Sequence, residues 1–227
     1  MTDTQPQTTL EISAFYDRLA ADYDGMTGFG KRFVQEKPFF RLLVERYGIT
    51  TALDAGSGTG FHALLLAQLG VNVTAVDLSQ EMLDRLGQHA RELKLHVTRV
   101  AAGFQKLRET VSGEFDAVFC LGNSIPHLLT ESDLHLGLKN FFSLLRPGGI
   151  LFLQPLNYHR ILSMRERVQS VKEIQAATFI RFYDYDYQEG LILFNLLKLE
   201  RKERVIEQSL ISVPLRPVTS AALLDAL

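Results

Sequence analysis

Residues 53–60 read Leu-Asp-Ala-Gly-Ser-Gly-Thr-Gly, with a glycine at every second position from Gly56 to Gly60. Because glycine lacks a Cβ, such a loop turns tightly and lets a ligand lie against its backbone. The spacing is G-x-G-x-G, whereas dinucleotide-binding loops have G-x-G-x-x-G and direct a helix N-terminus at a pyrophosphate. The loop therefore indicates a nucleotide-like ligand, and an ordinary glycine-rich turn is the alternative interpretation.

A carboxylate follows the next apolar stretch, in the sequence Val-Asp-Leu-Ser at 76–79. The two acceptor oxygens of Asp77 suit the paired hydroxyls of a ribose, which a nicotinamide dinucleotide and an adenosyl sulfonium both carry. An adenosyl sulfonium has no phosphate, so a loop that is not built to hold a phosphate favours it.

The glycine loop, with Asp54 before it and Asp77 after it, resembles the class I S-adenosylmethionine-dependent methyltransferases. The resemblance implies that the loop passes under the methionine portion of the cofactor and that Asp77 holds the ribose. We expect no metal site. The residues expected to bind S-adenosylmethionine are Tyr16, Asp54, Gly56, Ser57, Gly58, Gly60, Asp77, Leu78, Met82, Gly103, Phe104 and Leu121.

The segment Leu121–Leu128 contains Gly-Asn-Ser-x-x-His-Leu and resembles the corresponding stretch of the glycine and sarcosine N-methyltransferase branch. Asn123 could contact the methionine end of the cofactor or the incoming amine. His127 could accept a proton from that amine, because its ordinary pKa lies near neutrality. A histidine that merely hydrogen-bonds to the helix below is an equally good reading of His127.

Two tyrosines near the N-terminus, Tyr16 and Tyr23, resemble those of the helix that closes over the cofactor in small-molecule methyltransferases. An aromatic ring near a sulfonium gains cation–π attraction of about 0.5–2 kcal/mol. Tyr23 is therefore a candidate catalytic residue with Asn123 and His127, and packing of the helix onto the domain is the alternative role for both tyrosines.

The sequence departs from the family pattern at two places. Ala101–Phe104 stands where an acidic residue often accepts from the adenine amino group, so backbone groups and apolar side chains must hold the adenine. Leu156 stands where glycine-specific enzymes have an arginine that clamps the substrate carboxylate. Leucine has no planar guanidinium with which to bind both oxygens of a carboxylate. We therefore expect glycine to be a poor substrate unless Arg160 or Arg181 supplies a guanidinium.

The resemblance predicts transfer of a methyl group to a small molecule, with an amine nitrogen as the favoured acceptor. A catalytically silent cofactor-binding or scaffold protein and a nicotinamide-dependent oxidoreductase are the alternatives. The formal net charge is −2 and no basic block alternates with aromatic residues, which disfavours nucleic acid as a partner. Cys120 is the single cysteine, and no stretch of about 18 apolar residues occurs, so we expect a cytoplasmic protein without a membrane partner.

Alternating strand and helix signals predict an α/β fold with a doubly wound, mostly parallel sheet, whose ligands bind beyond the carboxyl ends of the strands. Residues 1–9 are expected to be loose. Helices are predicted at 10–23, 38–48, 63–69, 80–93 after a cap at Ser79, and about 131–145 after a cap at Thr130 or Ser132. Strands are predicted at 51–55, 71–76, 95–100, 115–121 and, after a turn at 146–149, 150–154.

Beyond residue 176 the pattern changes to an antiparallel meander, with strands near 179–187, 191–200 and 205–213 and a turn at 188–190. It is either a lid whose Tyr183, Tyr185 and Tyr187 face a substrate or a packing or dimer surface. We expect three units, namely a cofactor-binding core at 10–165, the meander at 166–218, and the start of a final helix at 219–227.

Methyltransferases of this type usually carry two further strands after such a helix, and we expect these strands to be absent here. The fifth parallel strand would then have an exposed apolar edge. Either the chain is shortened or a partner, such as a second copy in a homodimer, covers that edge.

Overall fold

A computed structural model describes residues 5–188, 190–203 and 205–227. The helices are α1 Gln5–Thr27, α2 Phe29–Tyr47, α3 Phe61–Gln68, α4 Gln80–Glu92, α5 Leu107–Thr110, α6 Glu131–Ser143, α7 Tyr158–Met164 and α8 Ser220–Asp225. The strands are β1 Thr51–Ala55, β2 Asn72–Asp77, β3 Thr98–Ala101, β4 Phe115–Leu121, β5 Leu145–Gln154, β6 Val168–Ile174, β7 Ala177–Gln188, β8 Leu191–Lys202 and β9 Val205–Leu215.

The first five strands form a parallel sheet in the order β3-β2-β1-β4-β5. Helices cover both faces, and successive residues of β1 alternate between two cores: Ala52 packs with α2, α3 and α4, and Leu53 packs with α6 and α8. The chain leaves β1 toward β2 on one side and later returns to β4 on the other, which creates a switch point at their carboxyl ends. Ligand crevices form at such points. The predicted doubly wound fold is confirmed.

The last four strands form an antiparallel sheet in the order β6-β7-β8-β9. Its inward face packs against α1, where Ile12 and Phe15 meet Phe179, Leu196 and Val213 in a buried cluster. The meander is confirmed, with one strand more than predicted. Strand β6 was missed because most of its side chains are exposed, and its strand conformation depends on pairing with β7.

Both N-terminal helices begin earlier than predicted. Helix α1 already includes Gln5, so residues 5–9 are helical, and residues 1–4 lie outside the described ranges. Helix α2 begins at Phe29 and contains Pro38 in its interior. Phe29 and Phe33 pack on Phe61 with ring centroids 5.4 Å and 5.9 Å away, and this tertiary contact extends the helix beyond the start that proline favours.

Of the remaining elements, the short helices α5 and α7 were not predicted, and β3 begins three residues after its predicted start. The predicted helix caps are confirmed. Ser79, Thr130 and Thr219 each cap a helix by accepting from the backbone N–H three residues on. Strand β5 begins at Leu145, five residues before the predicted start, where the Arg146 guanidinium pairs with Asp116 at 2.9 Å. Glu189, in the predicted turn, lies outside the described ranges. None of the helices described here is long and apolar enough to cross a membrane.

Candidate active site

One cavity of about 1370 Å³ lies at the carboxyl ends of the parallel strands. Its walls come from the loops after β1, β2, β3, β4 and β5, from α1, and from β7 and β8 of the antiparallel sheet. Pockets for one small ligand have volumes of about 300–1,000 Å³. The cavity is therefore large enough for two ligands side by side.

The glycine loop meets Asp77 on one wall of this cavity. The Gly58 N–H donates to Asp77 Oδ2 at 2.7 Å, and the Ser79 N–H donates to Oδ1 at 2.9 Å. Burial raises the pKa of Asp77 above its ordinary value, and these N–H groups oppose that rise. Each carboxylate oxygen keeps a second lone pair, so the group can still accept from two hydroxyls of a ligand.

Three residues expected at the cofactor do not line the cavity, namely Asp54, Ser57 and Gly60. A Cβ on Gly60 would lie 2.9 Å from Leu86 Cδ1, so this glycine allows α3 to pack against α4. Asp54 is 1% exposed and burial raises its pKa to about 6. Oδ2 of Asp54 and the hydroxyl of Ser57 are buried without a hydrogen-bond partner beneath the loop.

Helix α1 places Tyr16 and Tyr23 in the cavity wall, and two aspartates fix it there. Asp17 accepts from the hydroxyl of Ser79 at 2.5 Å. Asp24 accepts from the Thr59 hydroxyl at 2.6 Å, so α1 is bound to the glycine loop itself. Sequence reasoning missed these two anchors. The repeat of Tyr-Asp at 16–17 and 23–24, two helical turns apart on one face, was the available signal.

Tyr16 and His127 form a hydrogen-bonded pair, with Oη and Nε2 2.7 Å apart. Burial lowers the pKa of His127 to about 4, although the Pro214 carbonyl opposes the change. Burial also raises the pKa of Tyr16 well above 10. Near neutral pH the imidazole is therefore uncharged, and in the tautomer with its proton on Nδ1 its Nε2 accepts a hydrogen bond from the Tyr16 hydroxyl. This leaves the lone pairs of the Tyr16 oxygen available to a ligand.

The carboxamide of Asn123 is fixed by Tyr158, whose hydroxyl donates to Asn123 Oδ1 at 2.8 Å. Tyr158 is 1% exposed and packs among Tyr183, Ile192 and Leu215. Asn123 lines the cavity, and the donors of its carboxamide have no hydrogen-bond partner among the described residues, so they are available to a ligand. Sequence reasoning missed Tyr158 in this role, since the contact joins two segments far apart in the chain.

Apolar groups line the part of the cavity beyond Asp77. The residues predicted there that do line it are Leu78, Met82, Gly103, Phe104 and Leu121, and Gly56 lines the neighbouring glycine loop. Asn140 of α6, which the sequence did not single out, donates to the carbonyls of Phe104 and Gln105 at 2.9 Å each. It thereby holds the loop after β3 against the cavity.

The antiparallel sheet contributes a smaller set of side chains than the lid hypothesis assumed. Tyr183 lines the cavity, but Tyr185 donates to the Glu166 carbonyl at 2.8 Å and Tyr187 is 40% exposed at the surface. Arg181 also lines the cavity, whereas Arg160 lies exposed on α7. Of the two arginines considered from the sequence, only Arg181 reaches the site.

The cavity and the sheet order together define a class of protein. A glycine loop and a strand-end carboxylate meet at the switch point, and residues 52–149 match the family model described as a methyltransferase domain. Residues 52–149 therefore form a methyltransferase domain, and the fold is that of the class I S-adenosylmethionine-dependent methyltransferases.

Among curated proteins, the chain is 35% identical over 161 residues to the glycine/sarcosine N-methyltransferase of Halorhodospira halochloris, covering 70% of this chain and 58% of that protein. The chain thus spans a little over half the length of this relative. A solved S-adenosylmethionine-dependent methyltransferase from Clostridium acetobutylicum superposes with a TM-score of 0.77 at 18% identity, over 93% of this chain and 85% of the other.

The sugar N-methyltransferase KedS8 from a Streptoalloteichus species superposes with a TM-score of 0.68 at 23% identity, over 90% of this chain and 82% of the other. These structures share the fold with this chain. The comparisons favour a methyltransferase over the nicotinamide-dependent oxidoreductase and the silent binding protein that the sequence left open.

Proposed function

We propose that this chain transfers a methyl group from S-adenosylmethionine to an amine nitrogen of a small molecule. The observation that carries the proposal is the meeting of two sets of groups in one cavity. Gly58 and Asp77 form the cofactor end, and Asn123 with the Tyr16–His127 pair forms the acceptor end. We thereby reassign Tyr16 from the cofactor, where the sequence analysis placed it, to the acceptor. The relatives that are glycine/sarcosine N-methyltransferases support the amine as acceptor.

The cofactor end has the features that S-adenosylmethionine requires. Gly56 and Gly58 have φ of 75° and 55° and expose their backbone to the cavity, so the methionine portion can lie against them. Asp77 can accept from the ribose hydroxyls, and Leu78, Met82 and Phe104 offer an apolar surface to the adenine. S-adenosylmethionine supplies an electrophilic methyl group on a sulfonium.

The chain contributes mainly by positioning the acceptor and excluding water. Good orientation can account for roughly 7–11 kcal/mol of a barrier, so a dedicated acid or base is unnecessary. The Asn123 carboxamide is fixed by Tyr158, and α1 covers the cavity between its anchors at Ser79 and Thr59.

The Tyr16–His127 pair holds the amine with its lone pair free. An amine must be unprotonated to attack, and its N–H can donate to the Tyr16 oxygen. His127 keeps that oxygen oriented by accepting the phenolic proton at Nε2. A role for His127 as the direct base is less favoured, because its lone pair is already occupied and burial lowers its pKa to about 4.

A combined binding and turnover assay tests the proposal. Calorimetry on the purified chain should detect S-adenosylmethionine and S-adenosylhomocysteine, with NADH as a control that does not bind. Mass spectrometry should then detect a mass gain of one methyl group on at least one member of an amine panel. Binding of NADH alone would replace the proposal by an oxidoreductase, and cofactor binding without methylation of any amine would favour the silent binding protein.

The remaining expectations from the sequence fit this function. A cavity walled by two sheets and α1 suits a small acceptor and disfavours nucleic acid. A cytoplasmic location and a homodimer stay predictions, which fractionation and light scattering can check.

A further inference from the structure

The inward face of β7 carries one charged residue between two buried aromatic side chains. Phe179 and Tyr183 are 2% and 4% exposed, and Arg181 lies between them on the same face of the strand. Core-facing positions of a strand are normally apolar, because an isolated charge loses its hydration there. Arg181 is half-buried and lines the cavity, so its guanidinium is open to a ligand there, and an anionic group would compensate its charge.

The protein itself supplies no such partner in the residues that the structure describes. The Arg181 guanidinium makes one hydrogen bond to the described residues, from Nε to the Ser170 hydroxyl at 2.7 Å. Within the described ranges no carboxylate lies within 4.0 Å of the guanidinium, and its two terminal NH₂ groups have no hydrogen-bond acceptor. The bond to Ser170 therefore fixes the plane of the guanidinium and leaves the N–H donors of both terminal NH₂ groups unused.

The other cations in the cavity wall differ from Arg181. Arg32 is paired with Glu36 at 2.8 Å and stacks over Phe61 at 4.3 Å. Lys106 is exposed to solvent. Arg181 acts on the site itself: burial raises the pKa of Tyr183 to about 12, and the positive charge of Arg181 opposes that rise.

We propose that Arg181 binds an oxyanion, a carboxylate or a phosphate, on the methyl acceptor. The terminal NH₂ groups form the fork that pairs with two oxygens at once. The proposal rests on the proposed function, because Arg181 lines the same cavity as Asp77, Asn123 and the Tyr16–His127 pair. It also explains how the site can recognise an anion although Leu156 replaces the arginine clamp of the glycine-specific enzymes.

Matched amine pairs test this proposal and separate the two sources of the oxyanion. The first pair is propylamine and 3-aminopropanoate, and the second is ethanolamine and phosphoethanolamine. Glycine is added as the shortest carboxylate. The wild type should prefer the anionic member of at least one pair, and the pair that shows the preference identifies carboxylate or phosphate.

The variants are Arg181→Gln, Arg181→Lys and the control Arg160→Gln, which changes an exposed arginine outside the cavity. Arg181→Gln should raise KM for the anionic amine by about 10- to 100-fold, while KM for its neutral partner stays within twofold. Arg181→Lys should recover only part of the loss, because a point charge cannot form the fork. Equal preference in the wild type, or an anion preference that survives in Arg181→Gln, overturns the proposal.

A binding measurement keeps the test independent of turnover. With S-adenosylhomocysteine present, 3-aminopropanoate or phosphoethanolamine should raise Tm of the wild type and of Arg160→Gln but not of Arg181→Gln. Without ligand, Arg181→Gln should be at least as stable as the wild type, since it removes an unpaired charge. A lower Tm for the free variant would indicate a structural arginine, and absence of any anion-dependent shift in the wild type would refute the proposal whatever the methylation assay shows. If the proposed function itself fails, the wild type will not bind S-adenosylmethionine or S-adenosylhomocysteine.

Discussion

The phenolic oxygen of Tyr16 lies 2.7 Å from Nε2 of His127, a residue 111 positions later in the chain. The bond joins α1, which covers the cavity, to the loop after β4, where the acceptor segment begins. Burial keeps both groups uncharged near neutral pH, so the phenol can donate to the neutral imidazole. The covering helix and the acceptor end of the site therefore form one hydrogen-bonded unit.

Removing this bond should impair turnover more than cofactor binding. Tyr16→Phe keeps the ring and deletes the oxygen that we expect to hold the amine, so kcat should fall about 10- to 100-fold, the range for one hydrogen bond to a reacting group. Steady-state kinetics checks kcat, and calorimetry should give a Kd for S-adenosylhomocysteine within about threefold of the wild type. A variant with wild-type kcat would remove Tyr16 from the acceptor site.

His127 should make the protein less stable in acid. Its pKa is near 6.5 in the unfolded chain and about 4 in the folded protein, so the unfolded chain binds more protons between these values. Stability is therefore fully present above pH 6.5 and falls as pH decreases toward 4, by about 3 kcal/mol in total. Urea unfolding of the wild type and His127→Gln at pH 5 and pH 7.5 measures this difference.

The comparison with the variant is needed because Asp54 acts in the opposite direction. The pKa of Asp54 is about 6 in the folded protein, above its value in the unfolded chain. The stability that Asp54 contributes is therefore lost as pH rises toward 6. Subtracting the variant curve isolates His127. Parallel curves for the two proteins would show that the histidine is not neutral and buried as described.

Asp77 should determine cofactor affinity. Asp77→Asn preserves the shape but removes the charge that accepts from Gly58, Ser79 and the expected ribose hydroxyls, at a cost of roughly 1.5–3 kcal/mol. Calorimetry with S-adenosylmethionine should show Kd raised by about tenfold or more. Asp84→Asn is the matched control, because Asp84 is an exposed acid on α4 outside the cavity. Equal affinities of the two variants would contradict the assignment of Asp77.

Substitutions at Gly58 and Gly60 should affect different properties, namely cofactor binding at Gly58 and mainly protein stability at Gly60. A Cβ at Gly58 would lie no closer than 3.7 Å to the Tyr23 ring, so no side chain of the protein blocks it, although its φ of 55° strains any residue other than glycine. A ligand that lies against the backbone would collide with that Cβ. Gly58→Val should abolish cofactor binding and leave the domain folded. A Cβ at Gly60 overlaps Leu86, so Gly60→Ala should lower stability by about 1–3 kcal/mol instead. Calorimetry and urea unfolding on both variants test this contrast, which fails if Gly58→Val binds normally.

Asn123 and Tyr158 should act as a pair at the acceptor end. Asn123→Ala should lower kcat more than it weakens cofactor binding. Tyr158→Phe, which only releases the Asn123 carboxamide, should show the same pattern with a smaller loss of about 3- to 10-fold. Kinetics on the variant that carries both substitutions completes a double-mutant cycle. Strictly additive effects would show that the 2.8 Å bond does not couple Asn123 and Tyr158.

The local sequence determined much of this fold. Strands β1 and β4 have the predicted bounds because short apolar runs between turn signals have no other stable solution than burial on both faces. Ser79 and Thr130 cap helices because their side-chain oxygens accept from backbone N–H groups three residues on. The glycine spacing and the carboxylate at the end of β2 indicated the cofactor end of the site before any contact was known. All of these signals lie within a few neighbouring residues.

Tertiary structure decided which of the candidate residues meet. It placed Asp54, Ser57 and Gly60 behind the cavity wall, although they lie in the same short segment as Gly58. It started α2 at Phe29 by packing on Phe61, and it formed β6 by pairing with β7. The bond of Tyr16 to His127 and the position of Arg181 in the cavity depend on two sheets and α1 packing together. Such contacts join segments far apart in the chain, so no spacing within one segment encodes them.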